Sequence, residues 1–362
     1  MIAKIAAGMA AGLLSAVVMI SPEQGFGAQE LRIRLEDPTE IGRKDPIFGS
    51  IAAVCEDEAG NFYVVDQLDH KVFKFSSTGE PLLSFGQPGQ GPGDFQRPNR
   101  ISITAEGNLA VADEMLRISF LKPDGTFVER ITLAQGLAPG YIGEDRFYAW
   151  RWSPEGREQI LLNSEGRILR TFYSLERELF SISVPDLSGR AVMFNFGRPA
   201  YSPGLLFAQN GRLSALARSD EYRIQVLDEK GRSVATIERR QEPLPLTRRE
   251  RLFFREEFEE LGRMRGWPQS VVRDILKKIP QTKTFFDHML LTPSQILVFR
   301  VRPDITREAG DFPVDVFSIQ GTYRGQGNLP EKPIFASQTR MYFVRSDAEG
   351  NVWLAVRDYS FK

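Results

Sequence analysis

Glu58-Ala59-Gly60-Asn61-Phe62-Tyr63-Val64-Val65-Asp66 and Ala105-Glu106-Gly107-Asn108-Leu109-Ala110-Val111-Ala112-Asp113 are two copies of one phrase. Glycine takes positive φ without steric cost and asparagine tolerates it, so Gly-Asn reads as a tight turn. The run that follows is rich in residues suited to a half-buried pleated surface, so it reads as a strand. Working outward, each copy reaches a second β-rich run, Lys71–Phe75 and Arg117–Leu121. A glycine turn follows, Ser77-Thr78-Gly79 and Pro123-Asp124-Gly125. A third run closes each copy, Pro81–Phe85 and Phe127–Leu133.

Gly60 and Gly107 lie 47 residues apart, near the period of propeller blades. Looser copies continue to the end of the chain. Arg146–Trp152, Glu158–Asn163 and Arg167–Tyr173 surround Ser164-Glu165-Gly166. Arg212–Arg218, Tyr222–Leu227 and Arg232–Ile237 surround Glu229-Lys230-Gly231. Ile296–Val301 with Val314–Ile319 make a fifth copy, and Met341–Arg345 with Asn351–Tyr359 a sixth. The sixth is one strand short, and Leu31–Leu35 is a strand without a partner of its own. It is expected to complete the last blade and close the ring, which removes an exposed sheet edge. The expected fold is therefore all-β, a six-bladed β-propeller. An open sandwich or two β domains is the alternative.

Phe85-Gly86-Gln87-Pro88-Gly89-Gln90-Gly91-Pro92-Gly93-Asp94-Phe95, followed by Pro98, Ile101–Thr104, Gly107-Asn108, Val111-Ala112-Asp113 and Arg117-Ile118, resembles an NHL-type repeat. The mature chain is similar to exported bacterial six-bladed propellers of the NHL/TolB-like kind. The likeness is close over the first two blades and loose over the rest, where Val-Ala-Asp is lost. It bears on fold more than on function, because propellers host binding scaffolds, lyases and lactonases alike.

Two segments depart from the repeat. Residues 1–27 read as a signal peptide. Lys4 precedes an apolar run of about 16 residues, shorter than the roughly 20 that span a bilayer. Ser21-Pro22 breaks the run, and cleavage after Gly27 puts Gly25 at the −3 position. An uncleaved anchor is the alternative. The domain 28–362 would then be exported, periplasmic or extracellular, touching membrane only through the signal segment. The second departure is a helical insertion of residues 244–280 between the fourth and fifth blades. Thr247-Arg248-Arg249-Glu250 matches a capping box, and Phe254, Phe258 and Leu261 recur at helical spacing. After Gly266 and Pro268, Val271, Ile275 and Ile279 form a second stripe that Pro280 ends. Such a connection lies on the face that also carries the turns between second and third strands.

The chain has 362 residues, with 46 basic and 47 acidic side chains, two histidines and one cysteine. The balance argues against a nucleic-acid partner. One cysteine forms no intrachain disulfide, and Cys55 sits among strand residues as a core hydrophobe. The ends of the second strands approach one mouth of the ring. They carry Asp66, Asp113, Arg151, Arg218, Arg300 and Arg345. An acidic arc facing a basic arc suits a carboxylate or phosphate group, because arginine binds such groups bidentately. The same residues can instead pair with neighbouring blades or face water, as Asp113 with Arg117. Gly86–Gly93 lacks the lysine and helix of a phosphate loop. Glu56, Asp57 and Glu58 read as a turn rather than a calcium site, and His70 as a surface residue. His288 beside Asp287 reads in the same way, although it lies on an inner strand. The expected function is a non-catalytic binding or interaction module, with a protein partner or small anionic ligand at the insertion face. No cofactor is expected. The alternative is a metal-dependent, lactonase- or lyase-like enzyme, to which calcium would belong.

Overall fold

A computed structural model describes residues 30–176, 201–211, 213–302 and 311–362, and the backbone alone of residues 17–20, 181–185 and 191–195. Six blade sheets, each an antiparallel meander, and one two-stranded ribbon follow one another along the chain. The innermost strands of the first five blades are Ile51–Glu56, Pro98–Ile103, Leu137–Gly143, Leu205–Asn210 and Phe286–Leu291. Each begins a four-stranded meander, as in the first blade, where Phe62–Asp66, Lys71–Phe75 and Pro81–Phe85 follow outward. The turns take the form their residues demand: Gly60 and Gly107 both have φ of 81°.

The sixth blade starts with Phe335–Ala336, continues through Arg340–Ser346 and ends with Val352–Phe361. Its outer edge comes from the other end of the chain, as the unpartnered N-terminal strand requires. Ile33–Leu35 pairs antiparallel with Tyr359–Phe361. A second short strand, Thr39–Ile41, pairs with Leu354–Val356 on the same edge. The final strand has 10 residues, long enough to carry both. That second strand is absent from the repeat reading because three residues carry too little periodicity.

The core is distributed around the ring. Each of the six interfaces between neighbouring blades holds its own cluster of buried apolar side chains. The cluster joining the last blade to the first contains Ile41, Phe62, Phe75, Tyr342 and Leu354. Sheet faces pack on sheet faces, so the second strands, covered on both sides, are almost wholly apolar. Phe62–Asp66 and Leu109–Asp113 are buried at every position. Cys55 belongs to the cluster between the first two blades, where burial raises its thiol pKa well above the usual value, aided by Asp57 and Glu56.

Two excursions leave the ring. Helices α1 (Arg248–Met264) and α2 (Gln269–Lys277) lie between the sheet ending at Arg239 and the sheet starting at Phe286. These are the sheets of the fourth and fifth blades. They are the fifth and sixth sheets when the Ser181–Asn195 ribbon is counted as one of its own. The capping box forms, with Thr247 accepting from the Glu250 backbone N–H and the Glu250 carboxylate accepting from that of Thr247. Phe254, Phe258, Val271 and Ile275 bury their stripes against one another and against Tyr201 and Val301. The second excursion, the two-stranded ribbon Ser181–Pro185 with Ala191–Asn195, connects the third blade to the fourth, and α2 packs beside it. Both excursions leave from outer-to-inner strand crossings, so both stand on one face.

The proposed signal segment lies outside the described residues, apart from the backbone of Val17–Ile20. That backbone runs parallel to Thr236–Arg239. Among the described residues no helix is long and apolar enough to cross a membrane.

Candidate functional site

The residues at the ends of the second strands are in place, and each already has partners. Asp66 is fully buried and accepts the backbone N–H groups of Gly49, Ser50, Leu68 and Asp69 at 2.6–3.1 Å. It ties the turn after its own strand to the approach of the innermost strand. Asp113 does the same in the second blade, accepting from Gln96 at 3.1 Å and Met115 at 2.9 Å. It also takes the Arg117 Nε at 2.9 Å and pairs with its Nη2. A carboxylate suits this post because it accepts several N–H groups that the turn would otherwise leave unpaired.

The arginines are likewise engaged. Arg151 meets Glu158 directly across its hairpin at 2.8 Å. Arg218 forms a fork on Asp220 at 2.7 and 2.8 Å and donates to the Ser174 carbonyl, and hydrogen bonding to Asp220 raises its pKa. Arg345 pairs with Glu331. Arg300 approaches the fully buried Asp315 at 3.6 Å and donates to Gln326. Asp315 is shared with Tyr222 and Arg239, which bind the fourth blade to the fifth. Any ligand meeting these arginines at the rim competes with a carboxylate already there.

The lesser candidates also resolve into structure. Asp57 accepts from Ala59 and Asn61 and so holds a turn. Glu56 pairs with Arg340 at 3.0 Å and takes the Tyr342 hydroxyl, sealing the first blade to the sixth. The His70 Nδ1 accepts from the Arg97 backbone. Among the described residues no three His, Cys, Asp or Glu side chains come together where they could hold a metal ion.

Deeper in the ring lies a cavity of about 450 Å³. Every blade contributes to its wall through its innermost strand or the residues beside it: Ala52, Arg100, Ala138, Leu206, His288 and Phe335 are one from each. Most of these lie in the first half of their strands. Those strands start from the face that carries the excursions, so the cavity belongs to that side of the channel. The helices themselves supply no lining residue. A second space of about 380 Å³ occupies the opposite half, lined by Glu56, Thr104, Asn210 and Gln338, and shares Val54, Ile101, Gln209 and Phe335 with the first.

Two residues of the first cavity matter most. His288 lies against Phe299, and its Nε2 donates to the Pro333 carbonyl at 2.8 Å, which leaves Nδ1 as the acceptor. It is therefore not the surface residue that its neighbour Asp287 suggested: its strand turns it toward the channel, and burial lowers its pKa, so the neutral ring is favoured. Arg100 was not visible from the ends of the second strands because it sits inside an innermost strand. The available signal was a cation within the alternating run Asn99-Arg100-Ile101-Ser102-Ile103, where charge is expected only with a reason.

Residues 42–176 match the family model DUF5128, described as a 6-bladed beta-propeller. No curated protein matches the sequence. Among solved structures, a protein of Bacteroides fragilis provisionally described as exported is 10% identical, with a TM-score of 0.54, covering 90% of this chain and 95% of its own. A member of the DUF4221 family from Bacteroides vulgatus is also 10% identical, with a TM-score of 0.54 and coverage of 92% and 99%. A streptogramin B lyase aligns over 91% of this chain and 98% of its own at 11% identity, with a TM-score of 0.39. At 10% identity the two Bacteroides structures speak to fold alone, and with the family model, the six blade sheets and the six interfaces they lead to one conclusion: the chain is a six-bladed β-propeller.

Proposed function

We propose that this protein is an exported, non-catalytic binding module whose ligand occupies the central channel on the face bearing the helical insertion. The observation that carries the reading is the cavity of about 450 Å³ to which all six blades contribute. Its size falls within the range of small-molecule sites, and its wall mixes many apolar side chains with few polar ones, as such sites do. A wall drawn from six sheets is held rigid by six packed interfaces, so little ordering cost remains for binding. The rim residues Asp66, Asp113, Arg151, Arg218, Arg300 and Arg345 play a secondary part, steering charge toward the channel, because their own pairs must open before they reach a ligand directly.

A thermal-shift screen of a fragment library tests the reading. Hits are expected with the wild-type protein. Ala52→Trp and Leu206→Trp, which fill the cavity from different blades, are expected to abolish them while melting within a few degrees of the parent. No hits at all, or hits that survive both substitutions, would remove the channel as the site. Export is tested separately by sequencing the N-terminus of protein recovered outside the cytoplasm, where Ala28 is the expected first residue.

A further inference from the structure

Arg100 is a cation without a carboxylate. Its side chain leaves the second blade and passes Gly140 of the third, where an added Cβ would touch its Cδ at 3.5 Å. It ends over the rings of Tyr148 at 5.5 Å and Phe207 at 5.0 Å. Those rings are stacked on each other, with centroids 3.9 Å apart and planes 12° from parallel. Among the described residues no acid pairs with the guanidinium, in contrast to every arginine of the rim. Burial lowers its pKa, with Tyr148 opposing, yet an arginine keeps its proton in a protein. The two stacked rings flank the guanidinium on one side only, so its N–H donors remain free to meet something else.

Beside it, Asn99 lines the same cavity, and its Oδ1 is buried without a hydrogen-bond partner. A buried unmade hydrogen bond is costly enough to require an explanation. Whichever way the amide is turned, one polar atom there awaits a partner. The rest of the wall is largely apolar, including Ala53, Leu206, Phe207, Met289 and Phe335.

Building on the channel as the binding site, we propose that the cavity takes a small organic monocarboxylate. Its carboxylate lies on the fork of Arg100, its apolar body lies along Phe207 and Met289, and a polar substituent meets Asn99. The charge count selects a carboxylate over a phosphate. Among the described residues Arg100 is the only charged side chain lining this cavity, and burial favours the neutral ring of His288, so one negative charge is matched and two are not. Gly140 and the two rings confine the Arg100 side chain before the ligand arrives, so little side-chain freedom remains to be lost.

Calorimetry on the intact exported chain tests this with hexanoate and phenylacetate, their neutral amides, and hexyl phosphate. The carboxylates are expected to bind at least about tenfold more tightly than the amides and than the phosphate. Arg100→Gln is expected to weaken the carboxylates by about 10- to 100-fold, the range of a lost charge-assisted hydrogen bond, and to leave the amides unchanged. Arg100→Lys keeps the charge and loses the fork, so it should fall between. Asn99→Leu should weaken a 2-hydroxy or 2-amino carboxylate more than the unsubstituted acid. Amides binding as well as acids, or acids indifferent to both Arg100 variants, would overturn the assignment while leaving the channel as the site. So would phosphate binding most tightly. If Arg100→Gln does not fold, the comparison of acid with amide on the wild-type protein decides. Probes that bind equally to the Ala52→Trp protein would instead fault the channel reading itself.

Discussion

The helical insertion is a lasso with a stapled neck, and cutting the staple should free it without opening the ring. The neck is closed by the backbone bonds Leu246 N–H to Gln281 at 3.0 Å and Lys283 N–H to Leu244 at 2.7 Å. The Lys283 ammonium meets the Glu250 carboxylate at 2.6 Å, with both side chains almost fully buried. The same carboxylate accepts from the Tyr201 hydroxyl and from Thr247 at 2.9 Å each. Removing one member of a buried pair costs about 3–5 kcal/mol, because the survivor stays buried without its counter-charge. Replacing both by neutral residues of similar size costs far less. We therefore expect Lys283→Met and Glu250→Gln each to weaken the insertion by about 3–5 kcal/mol. The double variant should lie within about 1–2 kcal/mol of the parent, a favourable coupling of the kind double-mutant cycles detect. Hydrogen exchange read by mass spectrometry is the suitable assay, because it separates local from global opening. Peptides from residues 248–277 should exchange roughly a hundredfold or more faster in each single variant, at about tenfold per 1.4 kcal/mol. Peptides from the blade strands Phe62–Asp66 and Leu109–Asp113 should not change. Single variants that speed the helices less than about fivefold, or a double variant whose effect is the sum of the two, would refute the reasoning.

Three further outcomes follow from the geometry. Asp113→Ala removes a buried counter-charge and backbone acceptor together, so it should lower the urea midpoint by about 3–5 kcal/mol equivalent, whereas Arg151→Ala, whose pair is partly exposed, should cost about 1 kcal/mol or less. Equal losses would mean the two rim posts are alike. His288 has a folded pKa below its unfolded value, so the unfolded chain binds more protons in that window. Its contribution is present above about pH 6.5 and lost as pH falls toward the folded pKa, with a slope of at most about 1.4 kcal/mol per unit. Stability measured between pH 7.5 and 5.5 should therefore fall less in His288→Gln than in the wild type; parallel curves would count against a buried neutral imidazole. Elemental analysis of purified protein should find well under about one equivalent of calcium or zinc; near-stoichiometric metal would favour the lactonase- or lyase-like alternative over the binding role.

How far the chain could be read depended on whether a feature was local. The Gly60 and Gly107 turns, the Thr247–Glu250 box and the stripe of Phe254 and Phe258 are set by residues within a few positions of one another, and all formed as read. Ring closure was legible from a count, since Leu31–Leu35 was a strand in search of a sheet. The rim was legible as a set of positions but not as a set of free charges. Arg218 finds Asp220 two residues on, and Arg151 finds Glu158 across a hairpin, so local register could have revealed those two. Arg300 and Arg345 reach Asp315 and Glu331 through blade geometry that no spacing displays. Arg100 was hidden for the same reason: its platform comes from Tyr148 and Phe207, on two other blades. The ribbon of Ser181–Pro185 and Ala191–Asn195 lies outside the repeat, so the alternation of Ser181-Ile182-Ser183-Val184 has no sister copy to mark it as a strand.

The shared edge of the sixth blade bears on the order of events during synthesis. Residues 33–41 emerge about 300 residues before 352–361, the strand they pair with among the described residues. Until then the first blade has no finished neighbour on one side, and Ile41, Phe62 and Tyr342 cannot assemble their cluster. Contacts of such long range form slowly, because the intervening chain must be gathered before they yield anything. For a chain that is threaded unfolded through a membrane pore, as export would require, that delay is an advantage. The ring cannot lock on the wrong side before residues 352–361 arrive, so the timing of closure acts as a latch set by that strand.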